Sequence, residues 1–404
     1  MAKRRSDLNW NSSVYWVKIS AQKVNMKGRG ASENPINRFE PIHFCRDEGR
    51  GPEKTPTRFF ADPSRSILSY NNSPDVGFDV SLNPYRGCEH GCIYCYARPT
   101  HEYLGFSAGL DFETRILVKE NAPVLLRREL MSSRWQPQPV ALSGNTDPYQ
   151  PIERELGLAR GCLEVFRDFR NPVIIVTKNQ LVTRDIDLLK QLARWSAILV
   201  NVSITTLDAS LQRVLEPRAS TPASRMRTVS ELSRNGIPVR VLVAPVIPGL
   251  TDHEIPTILD QAARAGALDA SYILLRLPHG VKELFTDWLQ RHFPERARRV
   301  LNRVREVRSG KLNDPRFATR MRGEGVYAEQ IQRLFRVTSE RLGLGCRTLD
   351  VSTAGFRKPD LPDQKSLFGE ASDQAGSSPS PILRPATPAL PGLPLPGGSR
   401  PRPG

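Results

Sequence analysis

Cys88, Cys92 and Cys95 lie in the run Cys88-Glu-His-Gly-Cys92-Ile-Tyr94-Cys95, three thiols close enough in sequence to bind one metal centre. A closed structural zinc site, or an iron–sulfur cluster with every iron held by protein, takes a fourth ligand. Three thiolates on a four-iron cluster leave one iron open, and an open iron can hold a substrate or a cofactor. The alternative is a zinc loop completed by His90, His101 or Cys45, although CxxxCxxC is not a usual zinc-finger spacing. Cys45, Cys162 and Cys346 have no partner pattern and read as buried small residues.

Other polar groups follow apolar runs at regular intervals. Ser143-Gly144-Asn145-Thr146-Asp147 leads through Pro-Tyr-Gln-Pro-Ile to Glu153, and later come Thr177-Lys178-Asn179, Ser203 and Glu216-Pro-Arg218. Lys178 reads as a lone positive charge at a strand end, suited to a carboxylate. Ser203 offers a hydroxyl for the same task, or for capping backbone groups. Asp147 and Glu153 suit fixing their own loop better than orienting a substrate. Glu216 and Arg218 either meet a ligand or form a local ion pair.

These residues need a scaffold, and the pattern supplies one. Strands are predicted at Phe78–Leu82, Pro139–Ser143, Val173–Thr177, Ile198–Ile204, Val239–Ala244 and Tyr272–Leu277. Helices are predicted at Ala122–Leu130, Leu156–Phe169, Asp185–Trp195, Pro222–Asn235 and Glu254–Ala265, with one long helix over Lys282–Val307 and another near Ala328–Leu342. Thr221-Pro222 predicts an N-cap with Pro at the first helical position, Thr251-x-x-Glu254 a capping box, and Gly236 a helix stop. The strands are apolar on both faces, as parallel strands covered by helices are. Six β–α units in series imply an α/β fold with a parallel sheet, a partial barrel or a doubly wound sheet, functional groups gathering at the strand C-termini. The cysteine loop begins just after the first of these strands.

The cysteine spacing, with the aromatic Tyr94 before the last Cys, resembles the signature of the radical S-adenosylmethionine superfamily, whose partial (β/α)6 TIM-like barrel agrees with the six units. The run from Asn71-Asn-Ser-Pro through Tyr96-Ala-Arg-Pro-Thr-His101, together with the later strand ends, is similar to the spore photolyase-like branch, often labelled DNA repair photolyase, and within it to an uncharacterised subgroup. The likeness spans roughly residues 60 to 345. It implies that Cys88, Cys92 and Cys95 ligate a [4Fe–4S] cluster whose fourth iron chelates the amino and carboxylate groups of S-adenosylmethionine. An external one-electron donor of flavodoxin or ferredoxin type would reduce the cluster. Cleavage of the sulfonium would then yield a 5′-deoxyadenosyl radical that abstracts hydrogen from substrate. The likeness further implies that Ser143, Gly144, Asn145 and Thr146 meet the methionine amino group, that Lys178 and Ser203 meet its carboxylate, and that Tyr96 either relays a hydrogen atom or packs around the cluster. Photolyases of this branch also use a separate cysteine as hydrogen donor, and here no Cys lies between Cys95 and Cys162. That departure favours a substrate other than a thymine photoproduct.

The 404 residues suffice for one large core plus appendages. The expected organisation is an extended arm over residues 1–75, a core over 76–310, a helical extension over 311–357 and a disordered Pro/Gly/Ser-rich tail over 358–404. No apolar run approaches the ~18 to 20 residues that cross a bilayer, and the amino terminus lacks the apolar stretch of a secretory signal. Scattered cysteines and an oxygen-sensitive cluster fit a reducing cytoplasm. The net charge of +16, carried mostly by Arg with only twelve Lys among fifty-eight basic residues, suits a polyanionic partner such as DNA or RNA. The rival function is a zinc- or cluster-bearing nucleic-acid-binding protein without radical chemistry.

Overall fold

The computed structural model describes residues 28–39, 56–345 and 349–359. Seven strands form the main sheet: β2 (Leu68–Tyr70), β3 (Val80–Leu82), β6 (Val140–Leu142), β7 (Val173–Thr177), β8 (Ile198–Ser203), β9 (Val239–Val246) and β10 (Asp269–Leu274). Their order is β10-β9-β8-β7-β6-β3-β2. The six from β3 to β10 run parallel, and β2 closes one edge antiparallel to β3. The sheet is open, a partial barrel built from the six predicted β–α units.

Parallel strands of this kind must be dry on both faces, and β8 is buried at all six positions. The helix Leu158–Phe169 buries Leu158, Ala159, Cys162, Leu163, Val165, Phe166 and Phe169, a three-and-four spacing that lays one stripe on the sheet. Gly157 starts that helix two residues later than its sequence pattern indicates, with φ of 64° in the left-handed region. At the predicted N-cap, Thr221 Oγ1 accepts from Ser224 N at 3.3 Å, and Gly236 stops the chain after Arg234 with φ of 73°.

Several expectations are corrected. The long helix over 282–307 is two helices, Val281–His292 and Pro294–Glu306, because Pro294 lacks the N–H to continue the first and opens the second. The last strand begins earlier than Tyr272, in register with Arg240 on β9 from Asp269. The capping box at Thr251 does not form: Thr251 Oγ1 accepts from Ile247 N at 2.9 Å, and Glu254 accepts from Thr206 Oγ1 and Leu207 N, both at 2.6 Å. The segment read as an extended arm supplies β2 and also β1 (Arg58–Ala61), whose side chains are all exposed and so give no alternating signal.

A second, three-stranded sheet in the order β1-β5-β4 carries the cysteine loop; β4 is Tyr85–Arg86 and β5 is Arg115–Val118. Residues 311–345 add the short helix Thr319–Arg322 and the helix Val326–Arg341, which buries Ala328, Ile331 and Phe335 against the sheet. Among the described residues no helix is long and apolar enough to cross a membrane. Cys45, Cys346 and the tail from residue 360 onward lie outside the described residues.

Candidate active site

The strand ends bring the polar groups to one mouth. Asn83 follows β3, Ser143 follows β6, Lys178 follows β7, Ser203 ends β8, Ala244 lies near the end of β9, and Arg276 follows β10. The cysteine loop leaves the β3 end through β4 and lies over this rim. Gly87 turns it with φ of 83°, and Cys88 N donates to Phe112 O at 2.9 Å. Ile93 N donates to Leu215 O at 3.1 Å, and Cys95 N to Cys92 O at 3.2 Å.

Cys88 and Cys92 are buried, Cys95 is partly buried, and all three thiols are free. Burial pushes each thiol above its ordinary value; Asp147 and Cys92 add to the effect at Cys88, and Glu216 at Cys92. Lys178 acts against burial at Cys92 and Cys95. The loop therefore holds protonated thiols unless something takes their protons, and metal or cluster binding does that. The donor set fits a cluster with one thiolate per iron. Among the described residues no three His, Cys, Asp or Glu groups converge on a single ion. The histidines considered for a zinc site are engaged elsewhere. His90 Nδ1 lies 3.3 Å from Asp147 Oδ2, and His101 Nε2 donates to Arg115 O at 2.9 Å.

A fully buried guanidinium holds the loop from beneath. Arg98 donates to Cys92 O at 3.0 Å, to Ala108 O at 3.2 Å, to Gly109 O at 2.9 Å and to Glu113 Oε1 at 2.5 Å. Glu113 also accepts from Gly30 N at 3.0 Å and Ala31 N at 2.8 Å, so the amino-terminal segment docks on the same carboxylate.

Ser143, Gly144, Asn145 and Thr146 form a tight turn. Ser143 has φ of 144°, Ser143 Oγ donates to Thr146 O at 3.1 Å, and Asn145 alone of the four is exposed. Asn83, which the sequence reading missed, organises the turn: its Oδ1 accepts from Asn145 N at 3.1 Å and Thr146 N at 3.2 Å. Asp147 fixes the loop, as expected for a carboxylate among backbone donors. It accepts from Thr177 Oγ1 at 2.8 Å, Tyr149 N at 2.9 Å and Lys178 N at 2.7 Å. Glu153 is likewise structural, accepting from Tyr85 OH at 2.6 Å and pairing with Arg184 at 2.8 Å.

Lys178 is not a lone charge, and this corrects the sequence expectation. Its Nζ donates to Ser203 Oγ at 2.7 Å and Ala244 O at 3.0 Å, and lies 3.2 Å from Glu216 Oε1. Glu216 is fully buried and pairs with Arg225 as well; Arg225 NH1 donates to Ser203 O at 3.0 Å. Burial would raise the Glu216 carboxyl, but Arg225 and Lys178 hold it far below its ordinary value. Arg218 pairs with Glu89 at 2.9 Å instead of with Glu216. Sequence spacing does not reveal that Arg225, inside a helix, reaches back to the strand end.

The tyrosines flanking Cys95 diverge. Tyr94 is buried and donates to Glu216, with Thr205 Oγ1 3.2 Å from its hydroxyl. Tyr96 is 50% exposed, and its hydroxyl donates to Gly144 O on the Ser143 turn.

Comparison with known proteins agrees with this geometry. The radical SAM superfamily model matches residues 82–262. An uncharacterized protein of Mycobacterium tuberculosis is 37% identical over 310 residues, 76% of this chain and 90% of that protein. A protein of Pseudomonas phage M6, named as a radical SAM Nα-GlyT isomerase, is 28% identical over 189 residues, 46% of this chain and 37% of its own. Among solved structures, spore photoproduct lyase complexed with dinucleoside spore photoproduct matches with a TM-score of 0.51 at 14% identity, covering 71% of this chain and 80% of that one, a likeness of fold. By motif, fold and relatives together, the chain belongs to the radical SAM superfamily, enzymes that work with a [4Fe–4S] cluster and S-adenosylmethionine.

Proposed function

We propose that the protein abstracts a hydrogen atom from a nucleic-acid substrate, using a radical generated at the cysteine loop. The observation that carries this reading is the meeting, at one strand-end mouth, of three free thiols with the Ser143 turn, Lys178 and Ser203. In this reading Cys88, Cys92 and Cys95 each hold one iron, while Ser143, Gly144, Asn145 and Thr146 receive the methionine amino group. Lys178 and Ser203 receive the carboxylate, Lys178 giving up one of its present acceptors to do so. When bound, the cluster and S-adenosylmethionine supply a 5′-deoxyadenosyl radical. Arg98 fixes the loop backbone, and Glu216 with Arg225 holds Lys178 toward the mouth.

Support for a nucleic-acid substrate comes from the charge of +16 and from the fold neighbour bound to a dinucleoside photoproduct. Lesion repair of the thymine photoproduct type is the less favoured version. Cys162, the one further cysteine among the described residues, is fully buried in the core and does not reach the mouth. Tyr96 is the half-exposed hydroxyl available there, and we assign it the hydrogen relay.

Anaerobic reconstitution tests the reading. The expected product is a brown protein with four irons that releases 5′-deoxyadenosine when dithionite is added. Full cofactor cleavage by Cys92→Ala would overturn the assignment of the site.

A further inference from the structure

We propose that Arg276, at the end of β10, is the anchor of a phosphodiester-binding site that delivers a nucleic-acid strand to the radical mouth. This inference rests on the function proposed above. Its starting point is a contrast among the buried and half-buried arginines. Arg98 has Glu113, Arg225 has Glu216, and Arg184 has Glu153 and Asp185. Arg276 is half-buried and makes no ion pair with a carboxylate among the described residues, Asp75 acting on it only at longer range. It donates to the thioether of Met321 at 3.6 Å, a weak acceptor, and its Nε is buried with no partner among the described residues. A guanidinium left so poorly satisfied is costly unless an anion completes it.

The surroundings select the anion. Arg308 lies close behind and is fully buried, donating to the carbonyls of Leu274, Leu275 and Thr319. Arg320 acts on Arg276 too, its charge shared with Asp75. Burial, then Arg320, lowers the affinity of Arg276 for its proton against smaller opposing effects of Tyr96 and Asp75; burial, then Arg276, lowers that of Arg308 against Asp314 and Glu324. Asp75 is shared with Arg320, and Asp314 and Glu324, which act on Arg308, are paired with Arg316, so the side chain left to take an anion is Arg276, whose planar fork matches phosphate.

Position ties the anion to a nucleic acid. The guanidinium lies 5.5 Å from the centre of the Tyr96 ring, beside the last cluster cysteine. That ring is half-exposed, and Phe317, 54% exposed, lies under Arg320 at 4.5 Å. Exposed rings interleaved with arginines form a stacking platform along a phosphate track, the arrangement that binds single strands. An acidic peptide would use the charges and leave the rings without a role.

The test is fluorescence anisotropy with a 5′-labelled, random-sequence ten-nucleotide single-stranded DNA on the anaerobic holoenzyme, across a salt series. Arg276→Gln should weaken binding about tenfold and lower the salt slope by about 0.7, the share of one phosphate contact. Arg298→Gln, an exposed arginine of the helix Pro294–Glu306, serves as the control and should change affinity less than twofold. Arg276→Lys, which keeps the charge and spares the fold, should hold the slope while losing part of the affinity. Pyrophosphate should compete with the strand on the unaltered protein and much less on Arg276→Gln. Equal effects of Arg276→Gln and Arg298→Gln would overturn the proposal, as would a slope that falls in Arg276→Lys. Displacement by poly-glutamate as effective as by unlabelled strand would overturn it in favour of an acidic protein. Release of 5′-deoxyadenosine by the unaltered holoenzyme is measured separately: its absence would remove the radical reading and leave the binding result standing.

Discussion

Glu113→Gln isolates the strongest single support of the cysteine loop. Both members of the Arg98–Glu113 pair are fully buried. The carboxylate accepts from three donors: Arg98 NH2 and Ala31 N on Oε1, and Gly30 N on Oε2. A glutamine has one acceptor oxygen and one NH2 group, so whichever way it turns at least one of these donors faces another donor. The guanidinium also loses its counter-charge in a water-free site. Removing one partner of a buried pair costs about 3 to 5 kcal/mol, and the orphaned backbone N–H adds about 1. A loss of about 4 to 6 kcal/mol is thus expected, a large fraction of the roughly 5 to 15 kcal/mol that holds a domain folded. Urea unfolding of the cluster-free protein measures it, with no dependence on metal loading. Proteolysis near Gly30 should accelerate as well, because the same carboxylate docks that segment. Arg98→Met/Glu113→Leu should recover most of the loss, since neither charge then remains buried. A loss under about 1 kcal/mol in Glu113→Gln would refute the reasoning.

Three further outcomes follow from the site. Asn83→Ala removes the acceptor shared by Asn145 N and Thr146 N; the KM for S-adenosylmethionine should rise about tenfold with little change in melting temperature, and an unchanged KM would show that the turn holds itself. Lys178→Met should weaken S-adenosylmethionine binding by about 10- to 100-fold in equilibrium titration of the holoenzyme, the worth of one charge-assisted contact, while Arg225 keeps Glu216 compensated. Burial lowers His101 to about 4 from its ordinary 6.5. The unfolded chain therefore binds the proton first as pH falls, and stability should drop by about 3 kcal/mol between pH 6.5 and pH 4. Denaturation midpoints across that window should show this limb in the unaltered protein and lose it in His101→Phe; the same limb in both would clear His101 of the effect.

The sheet was legible because its strands are short apolar runs, β8 buried at all six positions and β7 alternating buried with half-buried, and because helices with clear stripes separate them. What escaped were elements with no periodic signal. β1 is exposed at all four positions, and β4 is two residues long, so neither announces itself. At the site, residues directly after strands were recoverable, since topology alone gathers them. Asn83, Arg98, Glu113 and Arg225 were not. Their roles depend on contacts across 62, 15, 83 and 9 positions of chain, and a lone Asn or Arg carries no spacing pattern. Lys178 shows the opposite error: its position was legible, and its partner Glu216, 38 residues on, was not.

The divergence of Tyr94 and Tyr96 bears on how the mouth can work. Adjacent in sequence to the same cysteine, they look interchangeable as hydrogen relays. Tyr94 is bound into the Glu216–Thr205 network, and burial together with the Glu216 charge makes its proton very hard to lose. Movement of that hydroxyl would disturb Lys178, whose Nζ also lies 5.6 Å from the Tyr94 ring centre. Tyr94 is therefore a strut of the Glu216–Lys178 corner. Tyr96 is half-exposed, rests on the Gly144 carbonyl and has Arg276 beside it; burial raises its hydroxyl too, to about 12, but no carboxylate among the described residues holds it. The relay we assign to Tyr96 and the strand anchor we assign to Arg276 are then two functions of one corner. On these two assignments a substrate held at the arginine would lie next to Tyr96, the half-exposed tyrosine of the cysteine loop.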